Sequence, residues 1–161
     1  QSFNLPVSMG TSGHLVGGAL AAIILGSPFA AVFILTLVLI VQAVLFGDGG
    51  ITVLGANIIN MGVIGGFVGF YSFKGLIGVT KSMPISVFLA AWLACLIPSL
   101  ACAVEMYLAG TFPLTEGLIA MGIYHAIIGV IEGIVTVAVI YLITTARPDL
   151  VDTGIKTPSG A

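Results

Sequence analysis

Two histidines, two cysteines and six carboxylates are the strong metal ligands and proton carriers of this 161-residue chain, so each can be weighed singly. His14 stands in Gly10-Thr11-Ser12-Gly13-His14-Leu15-Val16-Gly17-Gly18, at the mouth of an expected helix. Glycines on both sides permit tight turns and close approach of another segment. A neutral imidazole there could ligate a borderline divalent cation such as Ni2+, Co2+ or Zn2+. From spacing alone, a histidine that caps a helix or hydrogen-bonds a neighbouring one is the better account. No second His, Cys or carboxylate stands beside it in sequence, and one ligand is not a site.

Gln42, Asn57 and Asn60 are amides within otherwise apolar stretches. Asn57 and Asn60 are three apart and share a helix face. Their amides could hold an inserted loop or the ring nitrogen of a metal-bound histidine. Interhelical hydrogen bonding is an equally good account. Asp48, in Gly47-Asp48-Gly49-Gly50, reads as a carboxylate that shapes or caps a turn, with an electrostatic role near an external cation as the alternative. Ser12 could line a substrate path, but it lies too near His14 in sequence to be read as a nucleophile with its base. His125 and Glu132 are seven apart, within about 20° of each other around a helix. Their separation of about 10.5 Å along the axis rules out a direct pair. Ionisable groups inside a membrane are functional hypotheses by default; proton relay, helix contact and partner contact are all open. Glu105 and Glu116 flank an expected external loop and read as solvated.

The elements that must position these groups are membrane helices. The chain is 6% charged and 59% hydrophobic, against about 25% charged in an ordinary soluble domain. Nothing before Asp48 is charged, and charge-free gaps run from Asp48 to Lys74 and from Lys81 to Glu105. Each exceeds the roughly 20 residues that cross a bilayer core. The expected fold class is therefore an all-α integral membrane bundle of about five transmembrane segments. They run from about 13 to 26, 29 to 46, 52 to 73, 84 to 108 and 114 to 146, with Pro98 as a kink and Lys74 and Lys81 in one connection. Residues 1–146 form the transmembrane domain and 147–161 a polar carboxy-terminal tail. Small residues at intervals of four (Gly18, Ala22, Gly26; Ala91, Cys95, Ser99, Ala103) offer close-packing faces. Cys95 and Cys102, about 10.5 Å apart on one helix, lie beyond the roughly 7 Å limit for a disulfide and read as packing residues.

A net charge of −2 with no basic block argues against nucleic acid as a partner. No phosphate-cradling Gly-Lys-Ser or Gly-Lys-Thr motif and no zincin motif occur, so ATP hydrolysis by this chain is excluded and no catalytic residues are nominated. Lys74, Lys81 and Arg147 fall on one side of the membrane, which the positive-inside rule makes cytoplasmic. Gly47 to Gly50 is then external. The first segment, with a rise of about 21 Å, is short of the ~30 Å core and could instead be re-entrant.

The stretches GTSGHLVGGALAAIILGSP, VQAVLFGDGGITVLGANIINMGVIG and YHAIIGVIEGIVTVAVIYLITTARPDL together resemble the CbiM/NikM family over essentially the whole chain. These are the membrane-embedded substrate-binding subunits of energy-coupling factor transporters that import cobalt and nickel. The resemblance implies a multi-pass protein of the prokaryotic inner membrane that takes Ni2+ or Co2+ from outside as transported substrate, with no permanent cofactor. It implies metal ligation by His14, the counterpart of the family's internal histidine. Ser12, Gln42, Asp48, Asn57, Asn60 and His125 are the candidates to support that ligand or line the path. Implied partners are a transmembrane coupling subunit, cytoplasmic ATPase subunits and a small accessory membrane subunit. In the family the remaining ligands come from an amino-terminal Met-His pair. This sequence begins at Gln1 and lacks that pair, so it looks like the carboxy-terminal part of a seven-helix subunit missing two helices. Cobalt against nickel is left open by the Ser-Gly-His-Leu form. Because such ligands must be deprotonated, binding should weaken below the imidazole pKa, about 6.5.

Two other functions are compatible with the residues. One is a cation channel or secondary carrier using His125 and Glu132. The other is an intramembrane hydrolase using Ser12, His14 or Asp48.

Overall fold

The computed structural model describes residues 5–8, 11–13, 15–47, 50–147 and 149, with the backbone alone for 5–8, 11 and 12. Two short antiparallel strands open it, β1 (Leu5–Ser8) and β2 (Thr11–Gly13), paired in the register Leu5 to Gly13 and Pro6 to Ser12. Then come α1 (Gly18–Leu25), α2 (Pro28–Phe46), α3 (Ile51–Thr80), α4 (Met83–Leu108) and α5 (Leu114–Ala146).

The helical membrane bundle is as expected, but its first segment differs. Four helices, α2 to α5, are long and apolar enough to cross a membrane. The first segment, expected from Gly13, begins as a helix only at Gly18 and has eight residues. Its rise is about 12 Å, less than half a bilayer core of about 30 Å. Residues to its amino-terminal side form the hairpin instead, because Gly13, Gly17 and Gly18 weaken helix propagation. Lys74 also lies inside a helix: α3 runs to Thr80, and the turn into α4 is Lys81-Ser82, with Lys81 left-handed at φ 53°.

Local signals account for the other ends. The hydroxyl of Ser27 accepts from the Ala30 N–H, and Pro28 occupies the first helical position of α2, where its missing donor costs nothing. Two turns widen to π-helix, Gln42–Phe46 at the end of α2 and Ile58–Ile64 within α3. Helix α4 continues through Pro98. Proline there cannot donate to the Ala94 carbonyl, and that carbonyl faces Gly65 of α3 instead.

Small residues set the helix spacing. A Cβ on Gly69 would lie 2.6 Å from the Ala19 Cα, and one on Gly18 would lie 3.0 Å from the Gly65 carbonyl carbon. Thus α1 lies directly on α3. On α5, Gly133 and Gly129 receive Phe88 and Trp92 of α4, and the Trp92 indole N–H donates to the Ala126 carbonyl at 3.0 Å. Gly18 and Ala22 are buried as their spacing predicts, whereas Gly26 is exposed. The other expected stripe (Ala91, Cys95, Ser99, Ala103) is buried throughout. Apolar side chains such as Phe29, Phe33, Leu45 and Leu142 project outward, as a lipid-facing surface requires.

Candidate functional site

Residues 15–17, the linker between β2 and α1, are half-buried irregular backbone among membrane helices, where N–H groups favour partners within the protein. Gly17 takes φ 75°, the left-handed conformation that a glycine adopts without penalty. The N–H groups of Val16 and Gly17 donate to one side chain on α5. Val16 donates to Oε2 of Glu132 at 3.1 Å, and Gly17 to Oε1 at 3.0 Å. Glu132 is 2% exposed. A carboxylate at the start of α1 also faces the positive end of that helix's dipole.

The other side of the same linker rests on α5 too. Gly13 is buried, and a Cβ there would collide with Cδ1 of Ile128 and lie 3.4 Å from both Cε1 and Nε2 of His125. His125, Ile128 and Glu132 thus form one continuous face against Gly13, Val16 and Gly17. The seven-residue spacing of His125 and Glu132 serves this contact between the helix and the linker. Nδ1 of His125 is 2.9 Å from the Met121 carbonyl oxygen. A carbonyl only accepts, so Nδ1 carries the hydrogen in this bond.

Next to the linker lies a cavity of about 80 Å³. Val16 reaches it from the linker, Asn57, Asn60 and Met61 from α3, Cys95 and Cys102 from α4, and Met121 and His125 from α5. Its lining includes sulfur and imidazole groups, donor types that suit soft and borderline metal ions, beside the amides of Asn57 and Asn60. Among the described residues, no group of three or more His, Cys, Asp and Glu is placed to hold a metal ion.

Of the nominated residues, Asn57, Asn60 and His125 are brought together around this cavity. Gln42 is not among its lining residues. It begins the π turn of α2, and its buried Oε1 has no hydrogen-bond partner among the described residues. Ser12 lies in β2. His14 and Asp48 lie outside the described residues.

Glu105 differs from its expected solvated state. It is half-buried, and its Oε2 accepts from Nδ2 of Asn60 at 2.7 Å. Asn60, 5% exposed, sits in the π segment of α3, and its Oδ1 has no partner among the described residues. Glu116 is exposed, as expected. Cys95 and Cys102 are both free thiols, and that of Cys95 is 3.7 Å from the His125 carbonyl.

The bond from Glu132 to the linker was not anticipated. A signal for it was present, since one carboxylate in a long apolar helix must find donors. A glycine pair before a short helix is a place where backbone N–H groups lack them.

Residues 1–150 match a family model described as the cobalt uptake substrate-specific transmembrane region, CbiM. A chain of Archaeoglobus fulgidus bearing the fused nickel transport name NikMN is 38% identical over 154 residues, 94% of this chain and 51% of the relative. The cobalt transport protein CbiM of Geobacter sulfurreducens is 33% identical over 153 residues, 91% of this chain and 44% of that protein. The chain therefore spans about half the length of these two relatives. The crystal structure of a truncated transition metal transporter superposes with a TM-score of 0.82 at 34% identity, covering 90% of this chain and 74% of that one. With its helical membrane bundle and a family match over nearly all of its length, the chain belongs to the CbiM family of cobalt uptake substrate-specific transmembrane regions.

Proposed function

We propose that this chain is the substrate-binding part of an energy-coupling factor importer, an ABC-type system, that takes Ni2+ or Co2+ from outside and delivers it to the cytoplasm. The relatives named for nickel and for cobalt transport support this metal class. The observation that carries the reading is the linker seated on α5. Its hydrogen-bonded part begins two residues after His14, and it borders a cavity lined by sulfur, imidazole and amide groups.

With Lys81 and Arg147 cytoplasmic, Asn57, Asn60, Cys102 and Met121 fall toward the outer ends of their helices. The cavity then lies on the external approach to the linker. A hydrated divalent cation entering there would exchange water for imidazole and other nitrogen ligands, a set suited to Ni2+ and Co2+. His14 is the metal ligand in this reading. Asn57, Asn60 and His125 line its approach, while Ser12, Gln42 and Asp48 are the further residues to test. Energy comes from a transmembrane coupling subunit with cytoplasmic ATPase subunits, and a small accessory membrane subunit completes the assembly. A proton-coupled carrier would need Glu132 available in the path. Both of its oxygens are instead engaged by backbone N–H groups, which favours the metal-uptake reading.

The test is equilibrium binding of Ni2+ and Co2+ in detergent. It compares this chain, a longer form that includes any residues encoded before Gln1, and His14→Ala in each. Binding at micromolar level or tighter that His14→Ala abolishes is the expected result. No binding by either form sinks the reading.

A further inference from the structure

We propose that Glu132 is a positioning residue for His14: by accepting the Val16 and Gly17 N–H groups it fixes the linker that presents the histidine to the metal. The inference rests on the reading of His14 as a ligand and adds what orients it.

Three observations carry it. First, the contact is two-pointed. Adjacent N–H groups on the linker reach the two different oxygens of one carboxylate, at 3.1 and 3.0 Å. A single bond would let the linker pivot, whereas two fix both its distance and its rotation. Second, the opposite flank of His14 is also held, because Gly13 is pressed onto Ile128 and His125 with no room for a Cβ. Gly13 on one side and Val16 and Gly17 on the other thus contact a single helix face. Third, the acceptor is fixed in the bundle: the Glu132 side chain is 2% exposed on α5. Loss of these two bonds removes the side-chain acceptors that tie residues 16 and 17 to α5.

Glutamine fails in this role for a specific reason. It is nearly isosteric with glutamate, but one of its two termini is an NH2 that meets a backbone N–H donor to donor. Aspartate keeps both acceptors and draws them back by one methylene.

The experiment uses the full-length chain in detergent, with Glu132→Gln, Glu132→Asp, His14→Ala and, as an exposed control on α5, Glu116→Gln. Three readouts are taken: Ni2+ affinity, the ligand-field absorption of bound Ni2+, and amide hydrogen exchange of residues 15–17 without metal. Expected for Glu132→Gln are faster exchange at residues 15–17, Ni2+ affinity weakened by about 10- to 100-fold and a shifted ligand-field spectrum. Glu132→Asp should show the same changes to a smaller degree, and it carries the test should the glutamine variant not fold. Glu116→Gln should match the parent in all three.

Unchanged exchange at residues 15–17 in both Glu132 variants would overturn the proposal. So would faster exchange with unaltered Ni2+ affinity and spectrum, provided that His14→Ala abolishes binding. Should His14→Ala leave Ni2+ binding intact, the ligand reading falls and this role falls with it. The exchange data, taken without metal, show which of the two failed.

Discussion

Oε1 of Glu132 accepts the Gly17 N–H at 3.0 Å across 115 positions of sequence, joining the start of the shortest helix to the buried face of the longest. The bond ties the eight residues of α1 to the bundle at their amino-terminal end. Their end would otherwise leave backbone donors stranded in hydrocarbon.

Removing that acceptor should therefore cost stability as well as position. Glu132→Leu strands the N–H groups of Val16 and Gly17, each at about 1–3 kcal/mol. Thermal unfolding in detergent should show a lower Tm for Glu132→Leu than for Glu132→Gln, which keeps one acceptor. Equal Tm values would mean that the two bonds contribute no stability.

The pairing of Asn60 with Glu105 at 2.7 Å predicts a cost for losing the donor. Asn60→Leu leaves the half-buried Glu105 carboxylate without that bond, a loss of about 1–3 kcal/mol. Thermal unfolding in detergent checks it, and a Tm equal to that of the parent would contradict the pairing.

Close packing of α1 on α3 predicts two different outcomes for the same substitution. Gly69→Ala puts a methyl 2.6 Å from the Ala19 Cα, where backbone must move. A loss of about 1–3 kcal/mol is expected from overpacking. Gly75→Ala, on the same helix, meets nothing within 4 Å. It should gain up to about 1 kcal/mol from helix propensity. Denaturation of the two variants side by side separates them, and a neutral Gly69→Ala would refute the packing.

At the exposed end of the chain, the Arg147 guanidinium forms two bonds to Asp149, with its NH2 group 2.8 Å from Oδ2. That contact holds the Asp149 carboxyl below its ordinary value. Arg147→Ala should raise the Asp149 midpoint in an NMR titration, and high salt should do the same, because the pair is open to solvent. A midpoint indifferent to both would show that the pair does not persist in solution.

Sequence alone settled the membrane class, the four long spans and most of their ends. Lipid as solvent forces long uncharged runs, and Ser27-Pro28, Gly47 and Pro113 interrupt those runs where the helices stop. It also placed His125 and Glu132 on one face, since periodicity is local information. What they face was not local. Whether Glu132 met a proton, a partner or a backbone depended on residues 115 positions away in the chain. The same holds for Asn60, whose amide finds Glu105 on another helix, 45 positions on. The first segment was misjudged for a related reason. An apolar, glycine-rich stretch is compatible with a helix or with extended and irregular backbone. Only the face of α5 beneath it, where Glu132 accepts the Val16 and Gly17 N–H groups and Gly13 leaves no room for a Cβ, decided between them.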